Sequence, residues 1–576
     1  MVIRQATGAD PTDVTSEATR YLCVAAHTDD TFVESALAEV FDDELRAVAP
    51  SVGFDLTTVL RHCLDARQRR IRRDIGLVIA GSLALLLAPL WTLLVAAVLA
   101  MGMSLSRINR HGPLGPLGPL GPLAPVLALV AVTVASLWLL TPFTRVDTHE
   151  DSPLSWIFGM PWLALLAGMI AYLILVMHLL GTRQLLVQRL RRGHFRPTAA
   201  ETDPVPQRYA ARLAMLDTAQ HGNVTIYSGY TPFVGHGAPV AGWSFALPIQ
   251  RAEQRLIESS TSVAEDDADP TVRFAVVDLI DHVRQRLAAI RLDPAGDAEL
   301  NPERLAGLVL EDRVFVHGGL LTDDPQLLPD RGRMPRQSWS DERLRTVASR
   351  PQGAARHYLC ALVPSWGGEV VACTFLHFST DGRVLYLECA RTLLEPPRIE
   401  YHDVDRLTEW IPVRQFVQLF TAAAEQLTRT AFGAPTRLVR DGARVLRHRI
   451  RQARSRRMAR EDLGYDYGAR AGVREMATGT TYHNYFQVLD AAKHLKVVER
   501  HVLAGIVDFL EDRGVDTAEF RTRQTMILNQ GVIQTGGLSV VGNQAVGTGA
   551  RAEQQSTTEP PTPQGTSRRP DAGRPS

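Results

Sequence analysis

Cys360, Cys373 and Cys389 are spaced so that one falls on each of three consecutive strand-like runs. Thiolates from neighbouring strands can hold a soft metal such as zinc. No Cys-x-x-Cys pair supports that arrangement, and a free cysteine ordinarily packs as a small buried hydrophobe, so core packing is expected. The loop Gly235-His-Gly-Ala-Pro-Val-Ala-Gly242 has the glycine content of a phosphate cradle. It lacks both the Gly-x-Gly-x-x-Gly spacing and a helix directly after it. It reads as a structural turn, with His236 given no carboxylate partner by local spacing. His27-Thr-Asp-Asp30 carries cation-binding atoms, but also the sequence of a helix cap with solvated charges, which is the reading adopted. His-Glu-x-x-His, Gly-x-Ser-x-Gly and paired Cys/His constellations are absent from the sequence.

Lysine usage narrows the chemistry further. Lys493 and Lys496 are the only lysines, so no Gly-x-x-x-x-Gly-Lys-Ser/Thr phosphate loop and no kinase-type strand lysine exist. Two positions remain for a Schiff base. No motif assigns a catalytic residue, and neither a cofactor nor a metal is expected. With 62 basic and 62 acidic residues the formal net charge is zero, so no global field selects a nucleic acid or an acidic partner. The cysteines are 5 in number, an odd set without close pairs. They do not read as a disulfide framework and suit a reducing compartment.

Charge is concentrated locally. Arg437, Arg440, Arg444, Arg447, Arg449, Arg451, Arg454, Arg456, Arg457 and Arg460 oppose a single acid, Asp441, before Glu461. Leu438, Val439, Val445, Leu446 and Ile450 are interleaved with them. Beside a bilayer such a basic amphipathic helix lies on anionic headgroups. Nucleic acid is the competing partner and is not the one expected; a solvated helix face is the bland alternative. Residues 526–550 differ again, being rich in Gly, Asn, Gln and Val and almost uncharged. Paired apolar residues, Ile527, Val532, Ile533, Val540 and Val541 among them, suit β-stacking and self-association or a protein partner. A small hairpin closing the fold is the alternative there.

The elements that must position these residues follow from hydrophobic pattern. At 576 residues the chain exceeds one ordinary domain. Residues 1–74 read as a cytosolic helical module, with caps at Asp29-Asp30-Thr31 and near Asp55. Three apolar stretches, 75–103, 123–142 and 155–181, form a membrane block, since about 20 apolar residues are what a hydrocarbon core requires. A stiff Gly-Pro-Leu linker, 112–123, separates the first two. Arginines gather before the first stretch and after the third, the mark of cytosolic flanks. Both terminal portions are therefore placed in the cytosol, with the first stretch as a re-entrant hairpin turning near Pro89; three plain crossings are the alternative. Met1 to Thr19 is polar and shows no removable signal peptide. Residues 200–435 read as a cytosolic α+β domain. Its clearest part is the runs His357–Val363, Val370–Phe378 and Arg383–Ala390, the last two joined at Asp381-Gly382, a hairpin signal. Residues 436–525 form a basic and amphipathic helical region, with a strongly periodic helix over Tyr485–Asp512. Residues 551–576 have the composition of a disordered tail.

Two resemblances bear on function. Ile533-Gln-Thr-Gly536 resembles the core of short amyloid-type signalling motifs of bacterial and animal immune proteins. It departs from them at Thr535, where an apolar residue is expected, and at Ser539, where an asparagine is. Over most of its length the chain resembles uncharacterised multi-pass membrane proteins of actinobacteria. Arg20-Tyr-Leu-Cys23, Tyr227-Ser-Gly-Tyr-Thr-Pro-Phe-Val234, Trp243-Ser-Phe-Ala-Leu247 and Val363-Pro-Ser-Trp-Gly-Gly-Glu369 carry that resemblance. It implies a plasma-membrane address and no activity. The expected fold class is a membrane α-helical block plus a cytosolic α+β portion with an antiparallel β-meander and long amphipathic helices. The expected role is interaction or signalling through the cytosolic portion; the alternative is a membrane-bound enzyme with a site around residues 223–245 and 357–394.

Overall fold

The structure is a computed structural model, and it describes residues 16–89, 92–93, 161–196, 206–251, 272–292, 304–350, 353–479 and 481–529. In chain order the helices and strands are α1 (Ser16–Thr28), α2 (Asp30–Ala36), α3 (Leu56–Leu87), α4 (Pro161–Leu185), α5 (Gln207–Gln220), β1 (Val224–Tyr227), β2 (Ala238–Pro248), α6 (Val276–Ala289), β3 (Arg291–Leu292), β4 (Leu305–Ala306), β5 (Val309–His317), α7 (Asp341–Ser349), β6 (Ala355–Ser365), β7 (Val370–Thr380), β8 (Val384–Leu394), α8 (Val413–Glu461), α9 (Val473–Ala477), α10 (Tyr485–Asp512) and α11 (Ala518–Asn529). A 3₁₀ helix, Ile399–Arg406, follows β8.

A six-stranded mixed sheet in the order β1-β5-β6-β7-β8-β2 is the frame. β1 runs parallel to β5; every other pairing is antiparallel. The β7–β8 turn forms at Asp381-Gly382: Asp381 Oδ1 accepts from the Arg383 and Val384 amides at 2.9 and 2.8 Å, and Gly382 takes φ +91°. One face of the sheet packs Phe233, Phe315, Phe375, Tyr358, Cys360 and Cys373 together. The other meets α10: Trp243 Nε1 and Arg391 Nη1 both donate to Glu499 Oε1, at 2.9 and 3.1 Å. Both faces are thus covered, as the apolar character of both sides of these strands requires.

A second core belongs to the helices. Leu22, Phe32, Val33, Leu56, Val59 and Leu60 of α1, α2 and α3 pack with Leu216 of α5 and with Tyr401 and Val404 of the 3₁₀ helix. The expected caps form. Asp29 Oδ1 accepts from the Thr31 and Phe32 amides, and Asp55 accepts from those of Thr57 and Thr58.

The membrane architecture is corrected. Among the described residues one helical stretch, Leu166–Leu190, is long and apolar enough to cross a membrane, so neither a multi-pass membrane block nor a multi-pass plasma-membrane placement stands. The 75–87 part of the 75–103 stretch is not a separate segment. It is the C-terminal part of α3, a 32-residue helix that begins at Leu56. Its Leu77, Ala80 and Ala84 are buried where α3 packs with α4 and α8. Gly76 lies so close to α4 that a Cβ there would stand 3.3 Å from Ile174. Apolar composition cannot distinguish a helix that packs on other helices from one that faces lipid. The fold class among the described residues is α+β, a mixed sheet with helices. α3 stops just before Pro89, with Ala88 off the helical region (φ −148°), as the position before a proline favours. The stretch 123–142, the linker 112–123 and the tail 551–576 lie outside the described residues.

Three expected boundaries, at 74/75, 435/436 and 525/526, each fall inside a continuous helix: α3, α8 and α11. α8 is 49 residues long and runs through Pro435. Ile527 is helical in α11 rather than part of a β-segment; Val532, Ile533, Val540 and Val541 lie outside the described residues.

Candidate metal centre

The β6–β7 turn is the most constrained backbone in the sheet. Trp366, Gly367 and Gly368 take φ +55°, +67° and +83° in succession, and Trp366 is the single non-glycine residue with positive φ among those described. A side chain larger than hydrogen rarely adopts that region, and such strain concentrates at functional positions. At Gly367 a Cβ would also meet Glu17 at 3.1 Å. The turn is held in place from α10, where Asp490 Oδ2 accepts from Trp366 Nε1 at 3.0 Å. Its product is the direction of Glu369, the next residue.

Glu369 meets two histidines from distant parts of the chain. His402 Nε2, on the 3₁₀ helix, lies 3.2 Å from Glu369 Oε2. His483 Nδ1, just before the N-cap of α10, lies 3.7 Å from the same oxygen. The two imidazoles meet edge-on with centroids 4.4 Å apart. All three donor atoms fall within 4.8 Å of one another. The side chains are 14, 22 and 12 % exposed for Glu369, His402 and His483. His402 Nδ1 and both ring nitrogens of His483 are buried without a hydrogen-bond partner. Burial, reinforced by the neighbouring His402, pushes the His483 pKa down.

A surrounding layer fixes these donors. Gln487 Nε2 donates to Glu369 Oε2 at 3.4 Å. Its other amide atom, Oε1, accepts from the backbone amides of His483 and Asn484 at 3.0 and 3.3 Å. One side chain thus closes the α10 capping box and orients the carboxylate. Arg474 Nη2 donates to the Glu369 carbonyl at 2.6 Å. On the other side, the Tyr21 ring lies 3.9 Å from the His402 ring. Asp405, on the same 3₁₀ helix, accepts from Tyr21 Oη at 2.8 Å and from Arg20 Nη1 at 2.7 Å.

The residues singled out by sequence fall elsewhere. Cys360 and Cys373 share one sheet face, because Cys373 is opposite Leu362, two residues from Cys360. Cys389 is opposite Leu376 and Trp243, on the other face. The three thiols therefore cannot converge, and burial raises the pKa of each. His236 is fully buried against the Phe375 and Phe315 rings, with Nε2 unpartnered and its pKa lowered to about 4 by desolvation. It is a core histidine. In the region 223–245 and 357–394, Glu388 sits between Ser244 and His377 on adjacent strands. Tyr358 donates to Glu388 at 3.2 Å beside a shallow cleft of about 340 Å³. His377 Nδ1 donates to the His357 carbonyl at 2.8 Å. Of the metal centre, only Glu369 falls inside that expected region.

The ten arginines all lie on α8. Arg437 pairs with Asp74 at 2.6 Å, Arg444 with Glu34 at 2.5 Å, Arg456 with Glu44 at 2.8 Å and Arg457 with Glu461 at 2.9 Å. Among the described residues the other six have no carboxylate at ion-pair distance.

The model of the AbeC-like domain matches residues 242–543, just over half of the chain. The chain belongs to the AbeC-like domain family. Glu369, His402, His483 and the basic half of α8 all lie within the AbeC-like region. No curated protein and no solved structure matches the chain. Sequence reasoning missed both histidines of this centre. Its one trace was the phrase Trp366-Gly-Gly-Glu369, where two glycines precede a carboxylate.

Proposed function

We propose that the chain is a metal-binding protein in which Glu369, His402 and His483 hold one divalent transition metal. The supporting observation is the spacing of the donors. Tetrahedral zinc bound at about 2.0–2.1 Å separates neighbouring ligand atoms by about 3.4 Å. The Glu369 oxygen stands 3.2 and 3.7 Å from its two nitrogen neighbours. Two imidazoles and one carboxylate suit zinc, and also iron or cobalt, better than calcium or magnesium. Buried nitrogens left without hydrogen bonds cost free energy that a metal would offset.

The ligands come from the β6–β7 turn, the 3₁₀ helix and the entry to α10, and Tyr21 joins α1 to the same place. A bound metal would fasten these segments together. That supports an interaction or signalling role in which the metal sets the geometry of the joined segments. The enzyme reading has its own support: three protein ligands leave a fourth position for water or an external ligand, the pattern of catalytic zinc.

Equilibrium dialysis of the full chain against zinc and cobalt tests the proposal. One equivalent should be retained, and His402→Ala and His483→Ala should each abolish retention while circular dichroism stays unchanged. Retention that survives both substitutions would overturn it.

A further inference from the structure

The basic half of α8 has an inner and an outer side. Arg437 and Arg444 point inward to Asp74 and Glu34, and Ala459, further along the same side, is buried. The opposite side carries an apolar row. Val439, Leu446 and Ile450 follow at spacings of seven and four, which keeps them on one stripe, and they are 72, 61 and 58 % exposed. Val439 and Leu446 are each followed directly by an exposed arginine, Arg440 and Arg447. Arg454 extends that flank. Arg449 and Arg460 lie along the other edge of the row.

We propose that this outer face of α8 lies flat on an anionic lipid surface. The argument is charge complementarity combined with an apolar centre. An interfacial helix inserts an apolar stripe between headgroups and sets guanidinium groups on both sides at headgroup level. A nucleic-acid surface would meet the arginines but has no use for the apolar row between them. The 437–460 segment spans about 36 Å of helix, long enough for several headgroup contacts. The contact is peripheral and requires no membrane-crossing segment. It is also independent of the metal centre.

The test uses the full chain and sedimentation with vesicles of phosphatidylcholine, alone or mixed with phosphatidylglycerol. Binding should require the phosphatidylglycerol and weaken as salt rises to 1 M, where the screening length falls to about 3 Å. The combined variant Arg440→Gln, Arg447→Gln, Arg454→Gln should bind about 100-fold more weakly. Leu446→Ser with Ile450→Ser should weaken binding at unchanged charge. Circular dichroism and metal retention, unaltered in both variants, show that they fold. Equal binding to both vesicle types, full binding by the arginine variant, or tighter binding to duplex DNA than to the anionic vesicles would overturn the proposal.

Discussion

Gln487 and Glu369, 118 residues apart, are joined by a 3.4 Å hydrogen bond from the amide to the carboxylate oxygen that also faces both histidines. Because the same amide caps α10, the helix start and the direction of the carboxylate are set by one side chain. Groups of this kind typically govern metal affinity by about 10–100-fold. Gln487→Leu is therefore expected to weaken zinc binding within that range and to cost about 1 kcal/mol of stability through the lost cap. Isothermal titration and thermal unfolding separate the two effects. Gln487→Glu, which keeps the cap, should retain more of the stability.

Metal should stabilise the fold by mass action. At a free zinc concentration 100 times the dissociation constant, the gain is about 2.7 kcal/mol. The melting temperature of the wild-type chain should rise with zinc and fall back on chelation. In Glu369→Gln, which keeps the shape but removes the charge, the zinc-dependent rise should be much smaller.

Arg20 and Arg474 are the largest fully buried side chains among the described residues, and two carboxylates neutralise Arg20: Asp405 at 2.7 Å and Glu17 at 2.5 Å. These partners hold its pKa up against the opposing effect of burial. Removing one partner of a buried pair leaves an uncompensated charge and typically costs about 3–5 kcal/mol. Asp405 is 29 % exposed and Glu17 remains, so Asp405→Ala is expected near the lower end, about 3 kcal/mol. Denaturant unfolding measures it. Arg20→Leu should cost less than the charge-orphaning variant.

Acid should weaken the fold through His236. Its imidazole is buried and its folded pKa is lowered from 6.5 to about 4. Above pH 6.5 neither state is protonated and the group contributes no pH dependence. As pH falls from 6.5 towards 4, the unfolded chain binds a proton that the folded chain refuses, so stability declines, by about 3 kcal/mol at most. His236→Phe should flatten the unfolding free energy across that window. An unchanged slope would show that other groups carry the acid sensitivity.

Much of the sheet was legible because its signals are local. Asp381-Gly382 marks a turn, and the apolar runs around Cys360, Cys373 and Cys389 mark strands. The 28-residue helix Tyr485–Asp512 announces itself by its period. Cys360, Cys373 and Cys389 pack as buried core residues, as expected; the register stayed open, and one residue of register moves a side chain to the other face. Cys389 is on the far face for that reason. The metal centre was illegible for a related one. Glu369 and His402 are 33 residues apart, and His483 enters from beyond the long α8, so no spacing connects them. The apolar stretches were read as spanning because length and hydropathy do not record what a helix packs against. Leu77 and Ala80 of α3 face other helices.

All five cysteines are buried, and desolvation raises the thiol pKa of Cys63 and Cys373 to about 12. A thiolate-specific reagent at pH 8 should leave the native chain unreacted and modify all five thiols after denaturation. The variant with Cys360, Cys373 and Cys389 each changed to Ala should keep its metal stoichiometry, because none of them is a ligand.

Anomalous diffraction above and below the zinc absorption edge, from crystals of the full chain equilibrated with zinc, addresses the metal centre most directly. A single peak is predicted within bonding distance of Glu369 Oε2, His402 Nε2 and His483 Nδ1, and it should be absent from His483→Ala crystals. A zinc peak at any other cluster with none at these three residues, or no bound zinc at all, would contradict the account.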